Sequence, residues 1–317
     1  MSEEAVDILM ATYNGKNYLK EQIESILKQS HQNFRILICD DSSIDSTPSM
    51  IDGFLREHPN RIFQLRAESK LGAKGNFSFL MQHAKAPYIM FSDQDDIWLE
   101  DKIAKALKAM KNLEAAYGKE KPLLVHTDLK VVDQNLNVLG NSFWKYVNLN
   151  APSFCTLNHL LMQNAVTGCT IMMNKPLCQL SFPVPDVSLM HDWWVALVAS
   201  AFGKIAVLNE QTILYRQHSS NTLGAKKFGT WNYFKGLWSK LLSGSAKKLS
   251  LQRLSQADAF LKNYDHLLNS AQKKMIQDYL KLKDFSFFKR FLVIKKHRFY
   301  RSGFLRNFLM LMVKWQP

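Results

Sequence analysis

Apolar and polar positions alternate in blocks along the first hundred residues. Residues 6–11 form a short apolar run ending in the turn signal Thr12-Tyr13-Asn14-Gly15, which predicts a buried strand. Leu19, Ile23, Ile26 and Leu27 then recur at helical spacing within residues 17–29. Residues 34–39 predict a second buried strand, closed by Asp40-Asp41-Ser42-Ser43. Asp45-Ser46-Thr47 offers caps for a helix to about residue 58. A strand over 62–66, a helix over 76–84 and a strand over 87–91 follow, the last running into Ser92-Asp93-Gln94-Asp95-Asp96. This order predicts an α/β fold, a mostly parallel sheet flanked by helices. Ligands of such sheets bind outside the carboxyl ends of the strands, where three polar clusters fall here: Thr12 to Asn14, Asp40-Asp41, and Asp93 to Asp96.

The middle of the chain is mixed. Strands are predicted over 123–128, 130–132, up to 173 after Thr167-Gly168-Cys169-Thr170, and over 211–215, with a helix over 191–202. Residues 224–227 mark a boundary, giving a first domain over 1–224 and an extension over 225–317. Charge changes sharply there. The extension carries 20 Lys and Arg against 4 Asp and Glu, while the whole chain has a net charge of +14, so the first domain is nearly neutral. With 317 residues, 47% of them hydrophobic, the chain has material for a large core. Four scattered cysteines without a C-x-x-C pair read as reduced thiols of a cytoplasmic protein, not a zinc site or disulfide framework. No signal peptide opens the chain, and no apolar run is long enough to span a bilayer.

The acidic cluster Asp93-Gln94-Asp95-Asp96 is costly unless a cation or hydrogen-bond donors offset the crowded charge. Mg²⁺ or Mn²⁺ bridging carboxylates to substrate phosphates would do so. The competing reading makes Asp95 or Asp96 the cap of a helix containing Trp98 and Lys102.

Three segments decide between them: residues 8–15, 38–47 and 90–98, which occur in the order Ile8-Leu9-Met10-Ala11-Thr12-Tyr13-Asn14-Gly15, Ile38 to Thr47 with Asp40-Asp41, and Met90 to Trp98. Together they resemble the family 2 glycosyltransferases, whose fold is the Rossmann-like GT-A type, over about residues 5–224. Gly168-Cys169-Thr170, His191-Asp192-Trp193-Trp194 and Tyr215-Arg216-Gln217-His218 look like the rhamnosyltransferase branch of bacterial surface polysaccharide synthesis. The resemblance implies that Thr12, Tyr13 and Asn14 line the nucleobase site and that Asp41 accepts the imide N–H of uracil or thymine; turn-making is the other reading of Asp40-Asp41. Gly72-Ala73-Lys74-Gly75-Asn76 is expected to form a loop at the donor, with Lys74 on the diphosphate, unless Lys74 is merely solvated. Asp93 would bind ribose or metal, Asp95 the metal, and His218 would add a further ligand. Asp192 matches the catalytic base, and one-step displacement would invert the anomeric centre, giving an α linkage from dTDP-β-L-rhamnose. The family often carries Glu-Asp where this chain has His191-Asp192, which leaves Asp192 in place and opens the role of residue 191. Trp193 and Trp194 are either a wall for a 6-deoxy sugar or core.

Over residues 285–313 apolar residues interleave with basic ones, which suits interfacial helices on an anionic membrane surface. Trp231, Tyr233, Phe234 and Trp238 are expected at the same boundary. Helices packing on the catalytic domain or on a second copy, a homo-oligomer, are the alternative; nucleic-acid binding fits the rest of the chain poorly. The acceptor implied by the resemblance is a polyprenyl-linked glycan, and the donor a dTDP or UDP sugar. A UDP-hexose transferase and a non-catalytic nucleotide-sugar-binding scaffold are the competing functions.

Overall fold

The computed structural model describes residues 4–218, 229, 245–303 and 306–307. Its first half follows the alternation of the sequence: β1 (Val6–Thr12), α1 (Leu19–Leu27), β2 (Phe34–Asp40), α2 (Thr47–Glu57), β3 (Ile62–Leu65), α3 (Gly72–His83) and β4 (Tyr88–Ser92). These four strands pair in parallel, with Ile8 opposite Ile36 and Met90. The strands are apolar on both faces because helices cover both. Ile8 and Met10 join Ile23 and Ile36 in one core, while Leu9 joins Leu37, Phe77 and Leu80 in the other.

The second half departs from a mostly parallel sheet. It comprises β5 (Ile97–Trp98), α4 (Lys102–Tyr117), β6 (Leu123–Val132), β7 (Val138–Gly140), α5 (Phe143–Tyr146), α6 (Leu157–Met162), β8 (Met172–Asn174), α7 (Lys175–Ser181), α8 (His191–Phe202) and β9 (Lys204–Arg216). The sheet order is β3-β2-β1-β4-β8-β6-β9-β5, with β7 on β6. β8 runs antiparallel to both β4 and β6, and β5 antiparallel to β9, so the sheet is mixed. A three-residue strand wedged between β4 and β6 carries too little sequence pattern to reveal its direction. The two short strands expected over 123–132 are one continuous strand, paired along its length with β9. At the start of β9, Gly203 passes so close to the chain entering β6 that a Cβ there would lie 1.6 Å from the Pro122 carbonyl oxygen.

Beyond the boundary region lie α9 (Ser245–Tyr264), α10 (Ser270–Leu280) and α11 (Phe287–His297). Phe260, Tyr264, Ile276 and Phe299 belong to the same core as Leu9 and Phe77. The ring of Trp194 meets Phe260 edge-on at 5.5 Å, and the Tyr264 hydroxyl donates to the Leu180 carbonyl at 2.7 Å. α9 and α10 therefore pack on α8 instead of standing apart from it. Residues 224–227, together with Trp231, Tyr233, Phe234 and Trp238, lie outside the described residues.

Candidate functional site

The carboxyl ends of β1, β2 and β4 converge as expected, and local hydrogen bonds fix each cluster. Thr12 Oγ1 donates to Asp40 Oδ1 at 2.7 Å, and Asp40 Oδ2 accepts the Ser43 N–H at 2.8 Å, so Asp40 makes the turn. The Asp41 carboxylate accepts the N–H groups of Leu71 (2.7 Å) and Gly72 (3.0 Å), at the positive end of α3. Asp41 thus borders the cavity while tying β2 to α3. Tyr13 projects with its ring under Lys70, whose Nζ lies 3.7 Å from the ring centroid. Its main chain is held on both sides by Gln94, which accepts the Tyr13 N–H at 2.8 Å and donates to its carbonyl at 2.9 Å.

Three expectations change here. Asn14 sits at φ 48° and commits its side chain to the Ile44 N–H at 3.0 Å, so it braces the next loop and does not line the cavity. Residues 72–75 are the first turn of α3 and not a loop. From that turn Lys74 reaches backward, donating to the Ser188 carbonyl at 2.9 Å and to that of Asp186, away from the cavity. Lys70, four residues earlier, is the lysine that lines it. Asn76, almost wholly buried, lines the cavity and donates to the Cys39 carbonyl at 3.0 Å.

The acidic cluster is divided by its surroundings. Asp96 is fully buried and caps no helix, because Ile97–Trp98 is a strand and α4 begins only at Lys102. Its Oδ1 accepts the Arg216 N–H at 3.1 Å. Burial, then the charges of Asp95 and Asp93, hold its carboxyl well above the usual range. Asp93 is pushed up to about 7 by burial first and then by Asp95 and Asp192. Lys102, buried over the Trp98 ring at 4.3 Å, is pushed down to about 8 by burial. Asp95 receives His218, whose Nε2 stands 2.9 Å from Oδ2. Tyr18 stacks on the His218 ring at 4.6 Å, and the Arg216 guanidinium lies 4.6 Å from the other ring of that pair. Arg216 also donates to the Asp95 carbonyl at 3.0 Å and pairs with Glu21.

This donor set fits a hard divalent cation. Asp93, Asp96 and Cys169 each bring a candidate ligand atom within 4.8 Å of the others, a group that does not include the expected ligands Asp95 and His218. Burial pushes the Cys169 thiol up, which keeps it protonated and a poor ligand, while one oxygen of Asp96 finds no hydrogen-bond partner among the described residues. Carboxylates crowded enough to raise one another are the arrangement a cation relieves.

Asp192 opens α8. Its Oδ2 accepts the Gly168 N–H and the Asn164 amide, each at 3.1 Å, and its Oδ1 takes the Trp193 N–H. Burial nevertheless pushes its carboxyl up to about 6, those hydrogen bonds opposing the shift. His191 is buried against Phe77 at 4.0 Å and Phe91 at 4.7 Å, and burial pushes its imidazole down to about 3. It is a neutral aromatic spacer in the cavity lining, which answers the question of residue 191. Trp193 and Trp194 are core: their indole N–H groups donate to the Leu160 and Ser181 carbonyls, and neither lines the cavity.

One cavity of about 650 Å³ joins these groups, bordered by Thr12, Asp41, Asp93 and Asp95 on one side and by Asn164, Gly168 and Asp192 on another. Lys70, Gln94, Asn164 and Arg306 line it without having been expected. Gln94 lay inside the acidic motif and carried a signal; Asn164 and Arg306 carried none, since only folding brings them to the site.

A cavity at the carboxyl edge of an α/β sheet, with clustered carboxylates and a separate part-buried acid, is where proteins of this fold class bind their ligands. Comparison with known proteins makes the class specific. Residues 7–120 match the family model described as Glycosyl transferase family 2. The chain is 30% identical over 229 residues to the dTDP-rhamnosyl transferase RfbG of Shigella flexneri, covering 68% of this chain and 74% of that one. It is 31% identical over 232 residues to the UDP-Glc:alpha-D-GlcNAc-diphosphoundecaprenol beta-1,3-glucosyltransferase WfgD of Escherichia coli, covering 72% and 83%. Among solved structures, S. aureus TarS 1-349 in complex with UDP superposes with a TM-score of 0.56 at 16% identity, covering 89% of this chain and 72% of that one. That likeness shows the GT-A type of fold. The chain belongs to glycosyltransferase family 2 and is a glycosyltransferase.

Proposed function

We propose that the protein is an inverting, divalent-cation-dependent transferase that moves a sugar from a pyrimidine nucleoside diphosphate onto a lipid-linked glycan in bacterial polysaccharide synthesis. The observation that carries this reading is the part-buried Asp192 carboxyl bordering the same cavity as Asp93 and Asp95. Thr12, Tyr13 and Asp41 border the nucleobase end in this reading, with Lys70 in the role expected of Lys74. Asp93 and Asp95 would hold Mg²⁺ or Mn²⁺, with His218 as a further ligand or as the group that orients Asp95. The cation, when bound, offsets charge developing on the departing nucleoside diphosphate. Asp192 accepts the proton of the acceptor hydroxyl as that oxygen attacks the anomeric carbon. A single displacement inverts the centre, so dTDP-β-L-rhamnose would give an α-rhamnoside.

L-Rhamnose is the favoured sugar because the Shigella relative is named a dTDP-rhamnosyl transferase. A UDP-hexose is the second reading, favoured by the Escherichia coli relative of nearly equal identity. Uracil and thymine present the same imide edge, so Asp41 accepts either.

Peripheral membrane association, on the cytoplasmic face, completes the reading. Among the described residues no helix is long and apolar enough to cross a membrane. α11, however, leaves Phe287, Phe288, Phe291 and Leu292 exposed, Phe288 by 80%, beside Lys289, Lys295 and Lys296. An apolar strip flanked by cations suits an anionic bilayer surface, where a lipid-linked acceptor resides.

A turnover screen across dTDP and UDP sugars, with Mg²⁺, Mn²⁺ or chelator, tests the reading. Donor consumption that requires the cation and is lost in Asp192→Asn supports it. Undiminished turnover in that variant, or in chelator, would overturn it.

A further inference from the structure

The loop between α6 and the short helical turn Gly168–Thr170 is built around Asp192. α6 ends at Met162, and Gln163 turns the chain onto an extended path. Asn164 then closes a turn, its Oδ1 accepting the Val166 N–H at 3.0 Å. The Asn164 amide and the Gly168 N–H both donate to Asp192 Oδ2, each at 3.1 Å. These two bonds come from opposite ends of the loop, so residues 163–168 wrap the carboxyl.

Two side chains of this loop, Gln163 and Thr167, line the cavity, each next in sequence to one of the residues bonded to Asp192. Gln163 Oε1 accepts the Ser302 N–H at 3.1 Å, which orients the amide and leaves its NH₂ group without a partner among the described residues. The Thr167 carbonyl accepts from the Thr170 hydroxyl, while the Thr167 hydroxyl itself has no partner among the described residues. Both residues are half-buried at the cavity edge. Val147, Leu149 and Val166, also in the lining, are apolar. An uncommitted amide and hydroxyl beside apolar surface suit a pyranose, which carries hydroxyls around its rim and C–H groups on its faces.

We propose that Gln163 and Thr167 bind the acceptor sugar at the hydroxyls neighbouring the one that attacks, and so select the acceptor and the position glycosylated. This rests on Asp192 as the base, as read above. The attacking hydroxyl must reach Asp192, and the ring positions beside it then fall to the two side chains that flank the Asp192 contacts. The Gln163 amide donates to one neighbour, and the Thr167 hydroxyl bonds the other. A sugar that lacks either hydroxyl leaves a polar group of the wall unpaired, which is how such a site rejects it.

The test uses the full chain and the donor found by the turnover screen. The probe acceptors are octyl glycosides of N-acetylglucosamine, glucose, galactose and rhamnose, followed by each monodeoxy form of the best of them. Wild-type kcat/KM is expected to fall about tenfold for the deoxy forms lacking a contacted hydroxyl. Gln163→Met should lower kcat/KM for the parent glycoside and then treat it and one deoxy form alike. Thr167→Val, which keeps the shape of the side chain, should do the same with a different deoxy form. The donor KM should stay within about twofold in both variants, because the contact is to the acceptor. A merely structural role would depress the parent and every deoxy form equally, and that result overturns the proposal. So does wild-type discrimination retained in both variants, or a wild type that consumes donor and glycosylates none of the glycosides. Full turnover in Asp192→Asn, or no donor consumption by the wild type, would instead overturn the reading on which it rests.

Discussion

Nε2 of His218 lies 2.9 Å from Oδ2 of Asp95, across 123 residues of chain. The contact joins the end of β9 to the end of β4, and the Tyr18 ring fixes the imidazole by stacking at 4.6 Å. A carboxylate held this way keeps one oxygen on the histidine and presents the other.

Asp95→Asn should lower turnover by about two orders of magnitude or more, because on the proposed reading it removes a charged cation ligand. His218→Ala should act more mildly, raising the Mn²⁺ concentration for half-maximal activity by roughly 10- to 100-fold, as loss of an orienting group does. Metal titration of donor turnover separates the two outcomes.

On the proposed mechanism, with Asp192 as the base, the pH profile should follow Asp192. Its carboxyl is pushed up to about 6 by burial, and the base must be ionised, so kcat/KM should fall as pH drops through about 6. The Asn164 amide favours the ionised form at 3.1 Å. Asn164→Ala should therefore move this acidic limb to higher pH. A limb unmoved in that variant would dissociate it from Asp192.

Gln94 should matter to donor binding without touching the chemistry. It clamps the Tyr13 main chain with bonds of 2.8 and 2.9 Å. Gln94→Ala should raise the donor KM by about 5- to 10-fold, the loss of two modest hydrogen bonds, with a smaller change in kcat. A fall in kcat at constant KM would contradict this role.

The exposed face of α11 should read out in vesicle binding. Replacing both Phe288 and Leu292 with Ser should reduce sedimentation with anionic liposomes, and added salt should reduce that of the wild type. Binding to neutral and anionic vesicles alike would argue against the basic flank.

Gly203→Ala tests the fold away from the site. The new Cβ would stand 1.6 Å from the Pro122 carbonyl oxygen, so the entry to β9 must shift. A loss of about 1–3 kcal/mol is expected from thermal or denaturant unfolding.

Much of the first sheet was legible because its signals are local. Short apolar runs that end in polar turns predict buried strands wherever helices cover both faces, and β1, β2 and β4 begin and end within a residue or so of expectation. The pairing of those strands in parallel then brings Thr12, Asp41 and Asp93 to one edge without further information. Asp192 at the start of an apolar helix was legible for the same reason.

What depended on three-dimensional packing was the direction and company of individual side chains. Lys74 lies on a helix whose first turn aims it at the Ser188 carbonyl, a partner 114 residues away. Asp96 turns inward to the Arg216 N–H, and Asn14 to the Ile44 N–H. The antiparallel insertion of β8 and the packing of α9 on Trp194 likewise follow from contacts between distant segments. The sequence by itself determined which segments are strands and helices and which polar clusters cap them, since hydrophobic periodicity and turn chemistry act over a few residues. Only the tertiary structure decided which of those polar groups face the cavity and which are consumed in holding it, because hydrogen-bond partners and burial are set by segments far apart in the chain.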